Sequence, residues 1–374
     1  MIETIGVIGG GQLGRMMALD AKRMGYYVVT LDPNPHSPCG QVSDEQIVAQ
    51  YDDAGAVRQL GERTDVVTYE FENVSMDAVR GLERAGYAVS PSSDVLRITQ
   101  NRILEKEFVR SCGIAVTSFA EVRNAADLRR AVQDVGFPAV LKTVVGGYDG
   151  KGQWIADDVD GADRAFAAGS MQPLIFERRV AFSKELGIIC TRNARDHVVT
   201  YPVTENFHDR GILVRAVAPA RIKPHIAAAA ADIAKRIAAN LRIVGTFCVE
   251  FFLTDSGDLL VNEIAPRPHN SGHYTIDATP CSQYEQHIRA ICGLPLAAPR
   301  LLSEAIMMNI LGQGTGDHLR GIAALLEDPA IVLHMYGKKH AVARRKMGHF
   351  TMLTDDLETS VARANDALAL LSWN

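Results

Sequence analysis

The chain has 374 residues, of which 47% are hydrophobic and 22% are charged, and its 39 basic and 44 acidic side chains give a net charge of −5. This composition excludes a disordered, collagen-like or coiled-coil chain. The mild acidity disfavours a nonspecific nucleic-acid coat and a membrane-surface protein, whose footprints are basic, but it leaves room for a local basic pocket. At about 150 residues a domain, the length predicts two or three domains.

The cysteine spacing and the N-terminal residues indicate the cellular compartment in which the protein is expected. None of the six cysteines shows C-x-x-C spacing, which disfavours a zinc ribbon or a thioredoxin-type site. The sequence opens without a basic stretch, and no apolar run approaches the ~20 residues that a membrane span needs. We therefore expect no signal peptide, a cytoplasmic protein with reduced thiols, and neither nucleic acid nor a membrane as a partner.

The first segment alternates apolar runs with helical patterns. Strands are predicted over 4–10, 27–31, 65–69 and 87–90, with helices over 12–24, after the N-cap Asp52 and after Ser75. Because strand–helix–strand units place their strands side by side, the alternation predicts a parallel sheet with helices on both faces. We expect this Rossmann-like domain to cover residues 1–93.

The rest of the chain shows mainly antiparallel patterns. Helices are predicted over 94–111, 124–135, 162–168, 225–241, 282–292 and 361–371. Strands are predicted over 139–143, 153–156, 174–176, 186–191, 198–203 and 213–217, and a hairpin over 246–264. We expect a domain over 94–295, with a lid over about 115–175, and a small β-rich domain over 296–374.

A glycine-rich motif joins the first strand to the first helix. Residues 9–14, GGGQLG, fit G-x-G-x-x-G, and Asp32 ends the second strand, as in a dinucleotide-binding fingerprint. The same turn can hold any phosphate or carboxylate at the helix N-terminus, or can simply let strand and helix pack closely. We favour an anion over NAD and keep the packing turn as the alternative.

A second glycine-rich segment runs from Lys142 to Gln153. Gly150-Lys151 suggests a P-loop, but Val145 stands where that motif needs glycine and Gly152 where it needs serine or threonine. The segment instead joins two strands. Its glycines favour a lid over phosphates, with Lys142 or Lys151 supplying charge, and the alternative is an ordinary hairpin tip.

The hairpin at 246–264 carries the main chemical prediction. If Ser256 and Gly257 form a two-residue loop, Glu250 faces Glu263, with Cβ atoms roughly 4.5–5.5 Å apart. Two buried carboxylates need a cation or a proton, and oxygen ligands favour Mg²⁺ over zinc. The alternative is a one-residue slip that turns one glutamate to water.

Two polar segments follow the hairpin. Residues 265–273, APRPHNSGH, hold His269 and His273 at i, i+4, but proline and glycine forbid a regular helix there, so we expect a substrate-binding wall with Arg267 as an anion ligand. Lys338, Lys339 and residues 344–346, RRK, form a basic cluster. This cluster predicts a solvated hairpin or, alternatively, a phosphate pocket.

The lid, the lysine before it and the carboxylate pair together resemble the ATP-grasp superfamily. Six motifs are similar, in consistent order, to the 5-(carboxyamino)imidazole ribonucleotide synthetase family: GGGQLGRM (9–16), TYEFEN (68–73), GYDGKGQ (147–153), NEIAPRPHNSGH (262–273), SQYEQHIRA (282–290) and RKMGH (345–349). The resemblance implies an α/β ATP-grasp architecture: an N-terminal parallel βαβ sheet domain, a central α+β ATP-grasp unit with a glycine-rich lid, and a small β-rich C-terminal domain.

The resemblance also implies an ATP-dependent carbon–nitrogen ligase of purine biosynthesis. Bicarbonate would be phosphorylated to carboxyphosphate, and 5-aminoimidazole ribonucleotide would capture the carboxyl group or released carbon dioxide. The products would be the N-carboxylated ribonucleotide, ADP and phosphate. Two Mg²⁺ ions on Glu250 and Glu263, no biotin, and a homodimer are implied as well.

The same resemblance assigns the site residues. The implied catalytic residues are Tyr148, Arg267, His269 and Lys338. The implied ATP-binding residues are Arg102, Lys142, Gly147, Tyr148, Asp149, Gly150, Lys151, Gly152, Gln153, Glu177, Arg178, Arg179, Val180, Glu185, His208, Asn262 and Glu263. The implied substrate-binding residues are Gln12, Glu72, Asn270, Ser271, Lys338, Arg345 and Lys346.

One departure from the family and three rival functions stay open. Residues 342–344, VAR, stand where family members often have Arg-Pro-Gly, which leaves the ribonucleotide-phosphate ligands open and predicts a different turn geometry. The rivals are a related enzyme that uses formate and glycinamide ribonucleotide, an NAD-dependent oxidoreductase, and an inactive nucleotide sensor. Residues 269–273 and the chain length favour the aminoimidazole substrate, while the carboxylate pair and Lys142 disfavour the other two rivals.

Overall fold

The computed structural model describes residues 2–147, 152–169, 172–314 and 316–374. Its first part contains β1 (Thr4–Ile8), α1 (Gln12–Arg23), β2 (Tyr27–Leu31), β3 (Glu45–Ile47), α2 (Ala54–Arg63), β4 (Val66–Tyr69) and α3 (Met76–Arg84). The strands form a parallel sheet in the order β3-β2-β1-β4. Ile5 and Val7 pack with α1 and Ile8 with α2 and α3, so helices cover both faces, as predicted.

Three details of this part differ from prediction. The N-cap of α2 is Asp53, not Asp52, and its carboxylate accepts the N–H groups of Gly55 and Ala56. Residues 87–90 form no strand: Val89 makes a single bridge to Val67, and Pro91, which has no N–H, follows soon after. Strand β3 escaped prediction because it is a three-residue, half-buried edge strand with little apolar pattern.

The helix predicted over 94–111 is two helices, α4 (Ser93–Thr99) and α5 (Arg102–Ser111). Asn101 interrupts them because its side chain accepts the N–H groups of Ile103 and Leu104 and so starts a new helix. The Arg102 N–H donates to Val144 O at 3.0 Å, which ties the start of α5 to the glycine-rich segment.

A second sheet holds that segment. It contains β5 (Phe119–Val122), α6 (Ala125–Val135), β6 (Ala139–Thr143), β7 (Gln153–Ala156), α7 (Val159–Gly169) and β8 (Leu174–Arg178). The strands are antiparallel in the order β5-β8-β6-β7, and residues 144–152 connect the paired strands β6 and β7. Strand β5 was missed because it is short and largely half-buried.

The largest sheet continues through the rest of the chain. Its elements and those around it are β9 (Lys184–Arg192), β10 (Val198–Thr200), β11 (Thr204–Asp209), β12 (Ile212–Ala218), α8 (Pro224–Leu241), β13 (Gly245–Leu253), β14 (Leu259–Ala265), a 3₁₀ turn (Asn270–Gly272), α9 (Thr275–Ala278), α10 (Gln283–Ile291), β15 (Glu304–Leu311), β16 (Leu319–Arg320), α11 (Ile322–Leu325), β17 (Ile331–Met335), β18 (Lys346–Thr354), α12 (Leu357–Ala369) and β19 (Ser372–Trp373). The order is β14-β13-β9-β11-β12-β15-β18-β17, with β10 on β9. Because β12 pairs with β15, the sheet is continuous across the predicted boundary at 295/296, and the predicted division into domains stays a prediction.

The hairpin β13–β14 pairs Glu250 with Glu263, but not by the predicted route. The connection is longer than two residues, with Leu253 opposite Leu259, so the register is one residue off near the loop. A bulge between Glu250 and Phe251 then leaves Asn262 as an extra residue and restores the pairing. The bulge, and not a two-residue turn, therefore brings Glu250 opposite Glu263.

The alanine-rich helix α8 covers the main core. Ala230, Ala234 and Ile237 are fully buried and pack with Phe247 and Val249 of β13. Small residues at helical spacing let the helix lie close to the sheet, and the packed strand beneath it fixes where Glu250 emerges. Among the described residues, the helices are too short or too polar to cross a bilayer.

Candidate active site

A cavity of about 1540 Å³ opens where the three larger sheets meet, while β16 and β19 form a separate two-stranded sheet. It is lined by nearly all of the described residues that the sequence singled out: Gln12, Glu72, Arg102, Lys142, Gly147, Gly152, Gln153, Glu177, Arg178, Arg179, Val180, Glu185, His208, Glu250, Asn262, Glu263, Arg267, His269, Asn270, Lys338, Arg345 and Lys346. Ser271 lies behind this lining and is fully buried. Tyr148, Asp149, Gly150 and Lys151 fall outside the described residues.

The first glycine motif does not present an open anion site. The N–H groups of Gly11 and Gly14 both donate to the Glu70 carboxylate, and the Gly10 N–H donates to Asp32 at 2.7 Å. The protein thus fills the helix N-terminus with its own carboxylate. The preference for a bound anion at this turn is wrong, and the same occupancy argues against a dinucleotide pyrophosphate there.

Glu250 and Glu263 face the cavity from the two strands of the hairpin. Glu250 lies 3.4 Å from His269 Nε2, and Glu263 accepts a bond from Arg102 at 3.1 Å. Burial, and then the charge of Glu263, raise the pKa of Glu250 to about 7. Glu263 is more open than expected, with 37% of its side chain exposed. Two neighbouring carboxylates whose mutual repulsion raises the pKa of one of them fit a divalent cation such as Mg²⁺.

A cluster of cations stands beside this pair on α5 and β6. Lys142 Nζ donates to Glu177 at 2.7 Å, and Lys106 lies 3.4 Å from the same carboxylate. Burial alone would raise the pKa of Glu177, but these two lysines lower it to about 2. Glu177 therefore acts as an anionic anchor that holds Lys142 toward the cavity, and Arg102 extends the positive charge on one side.

The ends of β9 and β11 contribute a second hydrogen-bonded pair. His208 Nδ1 and the Glu185 carboxylate are 2.7 Å apart, and both side chains line the cavity. Burial is the largest single influence and lowers the pKa of His208, but the bond to Glu185 together with the charges of Glu250 and Glu185 raises the pKa on balance. Arg178 ends β8, and Arg179 and Val180 continue along the same cavity wall.

The loop after β14 is fixed from behind. Arg267 forms an ion pair with Glu72, and the Gln283 side chain donates to His269 O at 2.6 Å and accepts the His269 N–H at 2.9 Å. The amides of Asn270 and Asn309 donate to one another's carbonyl oxygens at 3.1 and 2.6 Å. These bonds hold the loop against β15 and leave its polar groups on the cavity wall.

His269 is neutral in this setting. Burial, and then the charge of Arg267, lower its pKa well below the usual value. Its Nε2 points toward Glu250 and its Nδ1 toward Ser271 Oγ, 2.9 Å away. Ser271 therefore contacts the imidazole and not the cavity, so its placement does not support its predicted direct contact with substrate.

Most of the basic cluster does line the cavity, as the phosphate-pocket alternative requires. Lys338 Nζ donates to Gln12 Oε1 and to Lys346 O, both at 2.7 Å, while Lys339 is exposed outside. Arg344, where the resemblance leads us to expect glycine, has a φ of 66°, in the left-handed region that favours glycine, and it contacts Asp209. The predicted difference in turn geometry from the family stays a prediction.

Two contributions escaped the sequence reading. Cys248 was not anticipated near the carboxylate pair: it lies on β13 two residues before Glu250, and its thiol shares a cluster with Glu250 and His269. Lys106 stands four residues after Arg102, and this i, i+4 spacing on α5 was a usable signal for a second cation on one helix face.

Three family models match the chain. The model of the ATP-grasp domain matches residues 107–284, that of the ribonucleotide synthetase preATP-grasp domain matches residues 2–100, and that of the phosphoribosylaminoimidazole carboxylase C-terminal domain matches residues 305–363.

Relatives match over almost the whole length. The N5-carboxyaminoimidazole ribonucleotide synthase of Bacillus subtilis is 46% identical over 94% of this chain and 91% of its own. The structure of N5-carboxyaminoimidazole synthetase from Staphylococcus aureus complexed with ADP is 39% identical, with a TM-score of 0.92 over 98% of this chain and 97% of that one. The Aspergillus clavatus enzyme in complex with ADP and 5-aminoimidazole ribonucleotide is 33% identical, with a TM-score of 0.92 over 99% and 98%. With this fold and this site, the chain belongs to the N5-carboxyaminoimidazole ribonucleotide synthase family of ATP-grasp proteins.

Proposed function

We propose that the protein catalyses the ATP-dependent carboxylation of 5-aminoimidazole ribonucleotide by bicarbonate, a step of purine biosynthesis. The products are the N-carboxylated ribonucleotide, ADP and phosphate. The observation that carries this proposal is the shared cavity, which joins the Glu250–Glu263 pair to one set of cations around Lys142 and another around Lys338. Two sets suit two phosphorylated substrates, a nucleoside triphosphate and a ribonucleotide.

Glu250 and Glu263 would hold Mg²⁺, two ions in our proposal, together with the phosphates of ATP. Bound there, the metal would neutralise charge on the phosphates during transfer. The fit lies in the donor set, two carboxylates that meet across a bulge in a cavity wall. Arg102 and Lys142 add fixed positive charge next to the pair, and the lid residues Gly147 to Gln153, including Tyr148, Asp149, Gly150 and Lys151, would close over the phosphates.

In the first step, a bicarbonate oxygen attacks the γ-phosphorus of ATP and ADP leaves. Phosphorylation turns bicarbonate, a poor electrophile, into carboxyphosphate, which carries phosphate as a leaving group. Arg267, Asn270 and His269 stand on the cavity wall next to Glu250, where they would orient the anion. The ion pair with Glu72 keeps the Arg267 guanidinium in place.

In the second step, the ribonucleotide amine attacks the carboxyl carbon, or carbon dioxide released from carboxyphosphate, and phosphate leaves. The amine nitrogen loses a proton as the new bond forms. His269, on the cavity wall next to Glu250, would accept that proton on its imidazole. Lys338, Arg345 and Lys346, with Gln12, would hold the ribonucleotide and its phosphate.

The remaining assignments follow the family. Residues Glu177 to Val180 would border the adenine, with Arg178 and Arg179 between them, and Glu185 would bind the ribose while His208 and Asn262 would lie near the nucleotide. We also propose that the protein works without biotin, forms a homodimer, resides in the cytoplasm, and binds neither nucleic acid nor membranes. The division into domains 1–93, 94–295 and 296–374 is part of the same proposal.

The direct test supplies ATP, Mg²⁺, 5-aminoimidazole ribonucleotide and ¹³C-bicarbonate. We expect ADP, phosphate and a ¹³C-labelled carbamate in equal amounts, without added biotin. When formate and glycinamide ribonucleotide replace bicarbonate and 5-aminoimidazole ribonucleotide, we expect no turnover. Turnover with formate, or ATP hydrolysis that yields no labelled carbamate, would contradict the proposal.

A further inference from the structure

A side-chain cluster that the proposed reaction does not require reaches from the cavity wall, at Glu250 and His269, to the fully buried Cys248 behind it. The Cys248 thiol, a carboxylate oxygen of Glu250 and a ring nitrogen of His269 all lie within 4.8 Å of one another. Cys248 and Glu250 are two residues apart on β13, so they share one face of the strand. Within the part of the chain that the structure describes, this is the one group of three such ligands.

We propose that Cys248, Glu250 and His269 form a binding site for Zn²⁺, with water as the remaining ligand. Sulfur, imidazole nitrogen and carboxylate oxygen are the donors that zinc takes in proteins, whereas Mg²⁺ takes oxygen. On binding, the thiol loses its proton to solvent and the sulfur bonds to the metal. The proposal goes beyond the carboxylation reaction and concerns a different metal.

The surroundings of His269 suit such a site. Ser271 Oγ lies 2.9 Å from His269 Nδ1 and 3.8 Å from Cys248 Sγ, so a single hydroxyl touches two of the three ligands. In the structure the Ser271 backbone N–H donates to His269 Nδ1 at 3.3 Å, so Nε2 carries the ring proton and faces Glu250 Oε1, 3.4 Å away. Zinc binding at Nε2 therefore requires the ring proton to move to Nδ1, where Ser271 Oγ is its acceptor. Outer partners of this kind set the tautomer of metal-binding histidines.

Only small movements are needed to close the site. Zinc bonds of about 2.0–2.3 Å bring tetrahedral donor atoms to about 3.5 Å from one another. The Glu250 and His269 side chains are 13% and 14% exposed on the cavity side, so rotations about their own bonds can shorten the present separations. Cys248 is fully buried and fixed by its strand, so it provides the rigid ligand.

Because Glu250 and His269 have proposed roles in the carboxylation, zinc bound to them would inhibit that reaction. It would occupy Glu250, which is assigned to Mg²⁺, and His269, which is assigned to the reacting groups. Inhibition should therefore weaken as Mg²⁺ rises and disappear when a zinc chelator is added.

The test uses Co²⁺ as a visible substitute for zinc, added to the full-length protein without Mg²⁺ or nucleotide. We expect a thiolate-to-cobalt charge-transfer band that one equivalent of Zn²⁺ removes. Cys248→Ala should abolish the band, while Cys190→Ala should keep it, since Cys190 is an equally buried cysteine on the adjacent strand β9. No band in the wild type, or a band that survives in Cys248→Ala, would overturn the proposal.

An activity measurement adds a second, separable readout. With Mg²⁺ alone, Cys248→Ala should turn over within about twofold of the wild type, and its half-inhibitory zinc concentration should rise at least tenfold. Unchanged zinc inhibition in that variant would overturn the proposal. Because the cobalt band needs no turnover, its outcome is independent of whether the carboxylation proposal holds.

If Cys248→Ala fails to fold, X-ray absorption of the zinc-loaded wild type decides. The proposal predicts one sulfur at about 2.3 Å beside nitrogen and oxygen ligands at about 2.0–2.2 Å. A zinc shell without sulfur would overturn it.

Discussion

Two glycine-rich loops of this molecule look alike in sequence and differ in what they face. At Gly9–Gly14 the backbone N–H groups already donate to Glu70 and Asp32 of the protein itself. Of the second loop, the described residues Gly146, Gly147 and Gly152 line the cavity, as does Lys142. A glycine-rich turn therefore indicates an anion site only where the protein has not supplied the anion itself.

The carboxylates of the two regions differ in the same way. Glu70 is held by backbone N–H groups from the start of α1 and serves the structure. Burial raises the pKa of Glu70 as well as that of Glu250, so the difference lies in their partners. Glu250 sits opposite a second carboxylate, Glu263, whose charge adds to burial and brings its pKa to about 7. The first carboxylate is satisfied within the fold, whereas the second pair gains from an added cation.

The largest expected effect follows from breaking the cavity pair. Glu263→Gln removes one negative charge from the proposed Mg²⁺ site, and we expect turnover to fall at least about 10²-fold, since the phosphates lose their charge-neutralising partner. Phosphate release measures the loss, and thermal unfolding checks that the fold persists. The control is Asp255→Asn, an exposed change at the tip of the same hairpin. Near-normal turnover in Glu263→Gln would contradict the metal role.

Breaking the satisfied carboxylate should cost stability. In Glu70→Gln one amide NH₂ group faces a backbone N–H, so we expect the free energy of unfolding to fall by about 1–3 kcal/mol. Urea denaturation measures this change, with the exposed Glu62→Gln on α2 as the control. Unchanged stability, or NAD binding by the wild type, would mean that the Gly9–Gly14 loop is not closed by Glu70.

The two cation sets should also separate by substrate. Lys346→Ala is expected to raise KM for 5-aminoimidazole ribonucleotide about tenfold and to change KM for ATP little, because a charge-assisted bond to the ribonucleotide is lost. Steady-state kinetics with each substrate varied in turn provide the test. Lys339→Ala, an exposed neighbour in the same basic cluster, should change neither constant. A rise in KM for ATP alone would contradict the assignment of Lys346 to the ribonucleotide.

The smallest expected effect is a pH dependence of stability that comes from His287, a histidine between the first sheet and the largest sheet. His287 is fully buried between Thr68 of β4 and Thr246 of β13, and burial lowers its pKa to about 3. Below about pH 6.5 the unfolded chain takes up a proton that the folded chain refuses, so this stability contribution falls as the pH drops toward 3.

Denaturation at pH 7.5 and 5.5 measures that contribution. The wild type should lose about 1.4 kcal/mol more than His287→Gln over this interval. The exposed His225→Gln should behave as the wild type does. An identical slope in the wild type and His287→Gln would contradict the neutral, buried state of His287.

Strong local patterns made much of the fold predictable. Strands β6 and β7 and helix α6 were predicted to within a residue, because apolar alternation and an asparagine cap define them locally. The break at Asn101 was visible in the sequence as a capping residue but lay inside a longer helical pattern. Short edge strands such as β3 and β5 depend on their neighbours, so the sequence pattern alone did not reveal them.

The candidate site was harder to predict from the sequence than the fold. Lys142, the Glu250–Glu263 pair, Arg267 and the basic cluster were predicted from the residues themselves, whereas the other site residues rest on a resemblance. The described site residues line one cavity, apart from Ser271. The pairing of Glu250 with Glu263 was predicted from an incorrect turn and is produced by a bulge at Asn262. Capture of the Gly9–Gly14 N–H groups by Glu70 could not be foreseen from spacing, because it depends on how two distant segments pack.

The central claim is that Glu250 and Glu263 jointly hold the cation that accompanies the phosphates of ATP. A crystal structure with Mg²⁺ and a nonhydrolysable ATP analogue tests it most directly. The account predicts metal within about 2.0–2.1 Å of oxygens from both carboxylates and from the nucleotide phosphates. Metal bound elsewhere, or one of the two carboxylates turned away from the phosphates, would contradict it.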